Sequence, residues 1–342
     1  DEIHMEFAAN LVASVMEEAT GLDSRIVNMR NHIAQEYGLI LPEIRLTDNV
    51  ALPDGTYTIR IQGVEVARSE VEVGRMLMLL GDSAGAAPGG RDVSEPVYGA
   101  PARWIEPAEQ EAAAVEGLSV VTPTEVIATH MLEVIKQNFA RLFTRRTMRR
   151  LLDEFVSLSD AGRAEANRRI IDEFIPDKVP VDQLQAVLRL LLEERVSVRN
   201  LPLILEAVGE ANGATQVPEA LAEHVRHRLG FQITAELQEP DGTLPLIQLA
   251  PAWEELFQEH QLEGEGSVID VALPPSEFNR LANAIAEKVA DAGARGRYPA
   301  IVTTTRRRRF LHTVLSAKGI RNPVFSFDEI AHQSRPAMVG VA

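Results

Sequence analysis

Residues 122–143 read TPTEVIATHMLEVIKQNFARLF, and the first four of them set how the chain on either side is read. Thr122 brings a hydroxyl to the free N–H groups of a helix start. Pro123 fits a first turn, where its missing N–H costs nothing. Glu125 stands three residues after the cap, where a capping box needs it. The stretch therefore predicts the start of a long helix. Before it the chain is cut into short alternating segments, and after it helical periodicity runs to about residue 238.

Upstream, DSRIVNMRNHIAQEYG (23–38) predicts a helix capped by Asp23, with Ile26, Met29 and Ile33 on one face and Gly38 ending it. PEIRLTDN (42–49), TYTIRIQ (56–62) and VEVARSEV (64–71) alternate and are broken by Pro, Asp and Gly, which predicts strands. Gly81 to Gly90 reads as a loop. A short helix near 108–116 ends at Gly117, and LSVV (118–121) is strand-like. Downstream, QLQAVLRLLLEERVSV (183–198) and NLPLILEAVGEA (200–211) are amphipathic. The last third alternates strand and helix from LPLIQL (244–249) to NPVFSF (322–327), which argues for a small α/β unit.

The length of 342 residues suggests two or three compact units. Aromatics are only 5%, so the cores must be built mainly from Leu, Ile, Val and Ala. With no cysteine there is no disulfide, thiolate nucleophile or cysteine metal site. Of the net charge of −16, most lies early: residues 1–130 hold 21 Asp or Glu against 8 Arg and no Lys. Residues 141–200 hold 12 basic and 10 acidic side chains. This distribution opposes non-specific nucleic-acid binding and favours basic partners, with solubility as the blander reading. No apolar run reaches the ~18 residues of a membrane span, and no signal-peptide pattern is visible. The chain starts at Asp1 without an initiator Met, so a longer parent protein is expected.

LLGDSAGAA (79–87) contains Gly-x-Ser-x-Gly, the pattern of a hydrolase nucleophile elbow with Ser83 as the nucleophile. LMLL (77–80) fits the strand such an elbow needs. GAAPGG (85–90) cannot form the helix that must follow, because Gly and Pro disfavour it. A serine hydrolase using Ser83 stays as a minor alternative. His224 and His227 are three apart on a helix, near enough to share a metal, but no companion ligand set accompanies them and a solvated helix face explains them. Neither phosphate-cradling glycine pattern is matched, so no cofactor and no metal is expected. Arg306, Arg307, Arg308 and Arg309 begin a helix, where the macrodipole disfavours cations. Four in a row point around a helix, which predicts salt bridges to acidic neighbours in this chain or another, lateral contact with a second copy among them. No catalytic constellation is complete. A binding or assembly role outranks an enzyme.

Several stretches, in order, resemble the cytoplasmic domains of the FHIPEP family of flagellar and injectisome export gates. They are YGLILPEIRLTDN (37–49), YTIRIQGVEV (57–66), EPVYGAPARWI (95–105), VVTPTEVIATHMLEVIKQN (120–138) and LLLEERVSVRNLPLILEAV (190–208), and the likeness continues through LAEHVRHRLGFQI (221–233) to PVFSFDEI (323–330). It implies an α+β fold of several subdomains: a thioredoxin-like part at 1–73 and 123–142, an inserted ferredoxin/RRM-like part at 74–122, a helical part at 143–230 and a C-terminal α/β part at 231–342. It also implies a membrane portion N-terminal to this chain, a place on the cytoplasmic face of the bacterial inner membrane, and a nonameric ring. The implied partners are flagellar export chaperones with cargo and components of the export ATPase complex, with an injectisome gate as the alternative.

The same resemblance implies a chaperone-binding dimple between the first two parts. Its acidic residue falls on Glu95, its aromatic on Tyr98, its threonine on Thr129, and its apolar lining on Leu79, Val121 and Val126. Relatives often carry Asp and Phe where this chain has Glu95 and Tyr98, and Ala100 replaces a larger apolar residue, which implies a wider and more polar dimple. Without the resemblance, Tyr98 and Val126 read as filling of a seam. Ser83 becomes a loop residue and GDSAG a chance match. Ser83→Ala is accordingly expected to leave hydrolysis of a simple chromogenic ester unchanged. Wild-type turnover that vanishes in the variant overturns this.

Overall fold

The computed structural model describes residues 1–18, 20–81, 88–262 and 270–342, so Ser83 lies outside the described residues. The chain divides into two compact units, Asp1–Glu154 and Phe155–Ala342.

The first unit is built on two four-stranded sheets. Strands β1 (Ile3–Phe7), β2 (Ile44–Asp48), β3 (Thr56–Ile61) and β4 (Val64–Glu70) form one, in the order β2-β1-β3-β4. The β1–β2 pair is parallel, which demands a crossover, and the helix Leu22–Tyr37 lies in that connection. β1 is absent from the reading above, although Ile3, Met5 and Phe7 are buried at a spacing of two. β3 and β4 form a tight hairpin at Gln62 and Gly63, both at positive φ (50° and 81°), the backbone that matches strand twist. The helix Leu22–Tyr37 ends at Gly38 in the left-handed conformation as expected. Its cap position, however, is Gly21, and Asp23 sits inside the first turn without a capping bond. There its charge meets the positive helix end instead.

Strands β5 (Met76–Leu79), β6 (Arg91–Ser94), β7 (Pro101–Ile105) and β8 (Val120–Val121) form the second sheet, antiparallel throughout, in the order β6-β7-β5-β8. Met78, Leu80, Ile105 and Ala113 make its small core, the last from the helix Gln110–Val115. The helix Pro123–Gln137 then starts on the capping box read from the sequence. Glu125 N–H donates to Thr122 Oγ1 at 3.2 Å, and Thr122 N–H donates to Glu125 Oε2 at 2.7 Å. It stops at Asn138, whose side chain donates to the Val134 carbonyl at 2.8 Å, before a separate turn at Phe139–Leu142.

Helices Arg145–Val156, Ala161–Phe174, Val181–Glu193, Leu201–Ala211, Pro218–Arg228 and Gly230–Ala235 occupy the stretch marked helical by its periodicity. The second unit also holds a sheet of β9 (Thr243–Gln248), β10 (Ala300–Thr303), β11 (Val324–Ser326) and β12 (Arg335–Val341), ordered β11-β10-β9-β12 with every pair parallel. Strand–helix alternation produces that parallel sheet, with Trp253, Phe257, Leu281, Ile301 and Leu311 among its core residues. Gly230 packs against neighbouring backbone: a Cβ there would stand 2.4 Å from the Glu329 carbonyl oxygen.

The four arginines separate on the helix Thr305–Ala317. Arg306 is exposed and Arg309 half-buried, but Arg307 and Arg308 are 1% and 0% exposed. Arg308 makes a bidentate pair with Glu194 (2.6 and 2.8 Å) and another with Glu223. Arg226 pairs the same way with Glu329 at 2.9 and 3.0 Å, and both guanidinium groups donate to the Val324 carbonyl at 3.2 Å. Arg307 turns to Glu254 and Gln261 over the ring of Phe257. The run therefore joins acidic residues of its own chain, and lateral contact through Arg307 and Arg308 is ruled out by their burial.

Breaking a buried pair strands its charged partners, typically at about 3–5 kcal/mol. Arg308→Ala is expected to destabilise the second unit by about that much in urea unfolding, whereas Arg306→Ala should stay within about 0.5 kcal/mol of wild type. Equal effects of the two substitutions contradict the assignment.

Candidate docking site

Three pieces of local structure carry the seven residues that the resemblance implies, all in the first unit. Strand register supplies the first. Leu77 is opposite Val121 on β8, Leu79 is opposite Ala102 on β7, and Leu79 N–H donates to the Ser119 carbonyl at 2.9 Å. Leu79 and Val121 thus share one sheet face as diagonal neighbours. Helical spacing supplies the second: Val126 and Thr129, three apart, lie on one side of the helix that Thr122 caps directly after Val121. Val126 is buried and Thr129 exposed.

The third piece is the 95–100 loop between β6 and β7, closed below by the Ser94–Pro101 pair. Glu95 N–H donates to the Ala100 carbonyl at 2.9 Å. The Glu95 carboxylate accepts from the backbone N–H groups of Val97 (2.8 Å), Tyr98 (2.6 Å) and Ala100 (3.1 Å). Glu95 is consequently 7% exposed, while Tyr98 is 69% exposed and Leu79 37%. Ala100 is exposed as well. The acid thus sits beneath the surface on which the aromatic stands.

Two residues absent from the sequence reading lie within the field of Glu95. Tyr57 Oη on β3 and His130 Nδ1 on the capped helix are 2.7 Å apart and share a buried hydrogen bond. Burial raises the Tyr57 phenol well above its usual range, and the Glu95 charge adds to the effect. Burial lowers the His130 imidazole, with Glu95 acting in opposition. Both groups therefore feel the Glu95 carboxylate. Nothing in the letters pairs His130 with a tyrosine 73 positions earlier.

The other candidates are accounted for locally. His224 Nε2 lies 3.1 Å from Glu210 Oε2, and among the described residues no group of three or more His, Asp or Glu could hold a metal. No described helix is long and apolar enough to cross a membrane. A shallow cavity of about 430 Å³ beside β2, lined by Asp1, Met16, Asp23, Glu43 and Arg45 among others, includes none of the seven.

The chain is a several-sheet α+β protein whose candidate surface offers an exposed aromatic on a loop. Its residues 1–335 match the FHIPEP family model, and the chain belongs to the FHIPEP family. This is a family of export gates, not of enzymes, which removes the hydrolase reading of Ser83. Among its relatives are the flagellar biosynthesis protein FlhA of Caulobacter vibrioides, 32% identical over all of this chain and 48% of the relative, and that of Bacillus subtilis, 28% identical over all of this chain and 49% of the relative. The chain spans about half the length of these curated relatives. Similar solved folds include the nonameric EPEC SctV-C (TM-score 0.77, 16% identity, covering 100% of this chain and 98% of that one). The CdsV protein of Chlamydia pneumoniae is another (TM-score 0.80, 18% identity, 100% and 97%). At such identities the likeness speaks for the fold.

Because the capping box joins β8 to the helix bearing Val126 and Thr129, Thr122→Ala is expected to cost about 1 kcal/mol in urea unfolding. Asp23→Ala, which removes no capping bond, should change stability by less than about 0.5 kcal/mol. A reversed order refutes the cap assignment.

Proposed function

We propose that this chain is the docking platform of a flagellar type III protein export gate, receiving export chaperones with their cargo on the surface around Tyr98. The observation that carries the reading is an aromatic side chain 69% exposed on a loop fixed from below, in a chain that belongs to an export-gate family. Interface energy concentrates in a few side chains, aromatics prominent among them, and a rigid support lowers the cost of ordering on binding. Leu79, Ala100, Val121, Val126 and Thr129 furnish the apolar surroundings in this reading.

The flagellar assignment is favoured over an injectisome one by 32% identity to a FlhA against 16–20% to the SctV, CdsV, MxiA and InvA structures. The EPEC SctV-C and EscV assemblies are nonameric, and CdsV occurs in complex with CdsO. By analogy we assign this chain a ring of copies and docking of export ATPase components. We also assign it a position on the cytoplasmic side of the inner membrane, anchored by a portion outside this sequence. Anchoring raises effective concentration, so weak lateral contacts suffice to close a ring. We read the β2-β1-β3-β4 sheet with its helices as the thioredoxin-like part, the β6-β7-β5-β8 sheet as the ferredoxin/RRM-like insertion, and the rest as helical and α/β parts.

Calorimetric titration with a chaperone–cargo complex from the same organism tests the reading. Tyr98→Ala is expected to weaken binding by about 2 kcal/mol, roughly thirtyfold, with an unchanged circular dichroism spectrum. Tyr98→Phe should be nearly neutral, and Thr129→Met should obstruct the surface by bulk. Unchanged affinity in both Tyr98→Ala and Thr129→Met, in folded protein, overturns the site.

A further inference from the structure

The one charged side chain among the seven candidate residues is turned away from solvent. Five hydrogen bonds of the 95–100 loop have Glu95 at one end: three N–H groups donate to its carboxylate, its own N–H donates to Ala100, and its carbonyl accepts from Gly99. A carboxylate that gathers three backbone donors sets where those donors lie, because charge-assisted bonds are shorter and stronger than neutral ones. Two of the three belong to Tyr98 and Ala100, which are exposed. From Pro96 to Pro101 the sequence is PVYGAP, so the loop offers a partner no charged group of its own.

The buried Tyr57–His130 hydrogen bond ties β3 to the helix that carries Val126 and Thr129. Tyr57 is fully buried, and His130 nearly so. Neither reaches the surface, so neither can contact a partner directly. Both lie within the field of Glu95.

We propose that Glu95 is a positioning residue of the docking site, holding the 95–100 loop so that Tyr98 projects, and that the partner patch meeting this loop is apolar rather than basic. The idea rests on the docking reading for its partner, but the positioning itself is a property of the free chain. Glu95→Gln leaves one oxygen and one NH2 facing three N–H donors. A donor then confronts donors, and the loop loses its centre. Tyr57→Phe removes one hydroxyl from the buried pair and leaves His130 Nδ1 without it.

Two measurements test this. The first is amide hydrogen exchange on the free chain, resolved by NMR. In wild type the Val97, Tyr98 and Ala100 amides are expected to be protected. Glu95→Gln should lower their protection by about tenfold or more, while core strands such as β3 keep theirs and Tyr57→Phe, which removes no bond of the loop, leaves the three amides as in wild type. Unchanged protection of these three amides in Glu95→Gln overturns the positioning role. The second is a double-mutant cycle read by titration with a purified export chaperone carrying its cargo. If Glu95 acts through Tyr98, then Tyr98→Ala alone and Glu95→Gln with Tyr98→Ala should bind within about twofold of each other. Additive losses mean that Glu95 contacts the partner itself, and refute the apolar patch. Should wild type bind no chaperone–cargo complex, the docking reading and the apolar partner patch fail together, and the exchange data still decide the positioning.

Discussion

Two guanidinium groups and three carboxylates share the interior of the second unit, and their mutual satisfaction constrains everything around them. Removing such ions from water costs several kcal/mol each after relaxation, so the cluster persists only with excellent geometry. Arg308 and Arg226 supply it as planar forks on Glu194, Glu223 and Glu329. These residues come from the end of one helix, the body of a second, the first turn of a third and a turn after β11, so four separated segments meet at one point. A non-directional apolar contact tolerates sliding between such elements, whereas paired forks do not. The helical stretch and the parallel sheet are accordingly held within a single compact unit.

The first unit solves a smaller version of the same problem. Glu95 is buried with no cation among the described residues in bonding contact, and backbone N–H groups provide the compensation. The contrast explains the difference in what each charge does. Guanidinium partners lock secondary-structure elements to one another, while peptide N–H partners shape a single loop. Both kinds remove a charged group from the surface, which leaves the outward chemistry to neighbours such as Tyr98 and Arg306.

What was legible in the sequence follows from the range of the forces involved. The capping box at Thr122 is contained in four residues, and it forms as read. The alternation of β3 and β4 and the helix stop at Gly38 are equally local. β6 and β7 escaped because RDVS and PARWI are short, polar or led by proline, and their strand character comes from pairing across a loop. Asp23 misled because a capping residue type just before a helical pattern looks the same one position inside it. The arginines were read as pointing around a helix, and they do. Which of them would be buried depended on acids 53 to 114 positions away, beyond any local pattern. The candidate site was legible only through its family resemblance, and the inward turn of Glu95 was not legible at all.

Gly230 gives the fold an uneven tolerance to change. The Glu329 carbonyl it packs against belongs to the residue whose side chain holds Arg226, so a methyl group at 230 would press on the backbone that aims that carboxylate. A random substitution at this position is a displacement of the charge cluster in disguise. Genetic drift can therefore rewrite the exposed helix faces freely while position 230 stays closed to it, and laboratory diversification of this chain would do well to leave codon 230 out of the library.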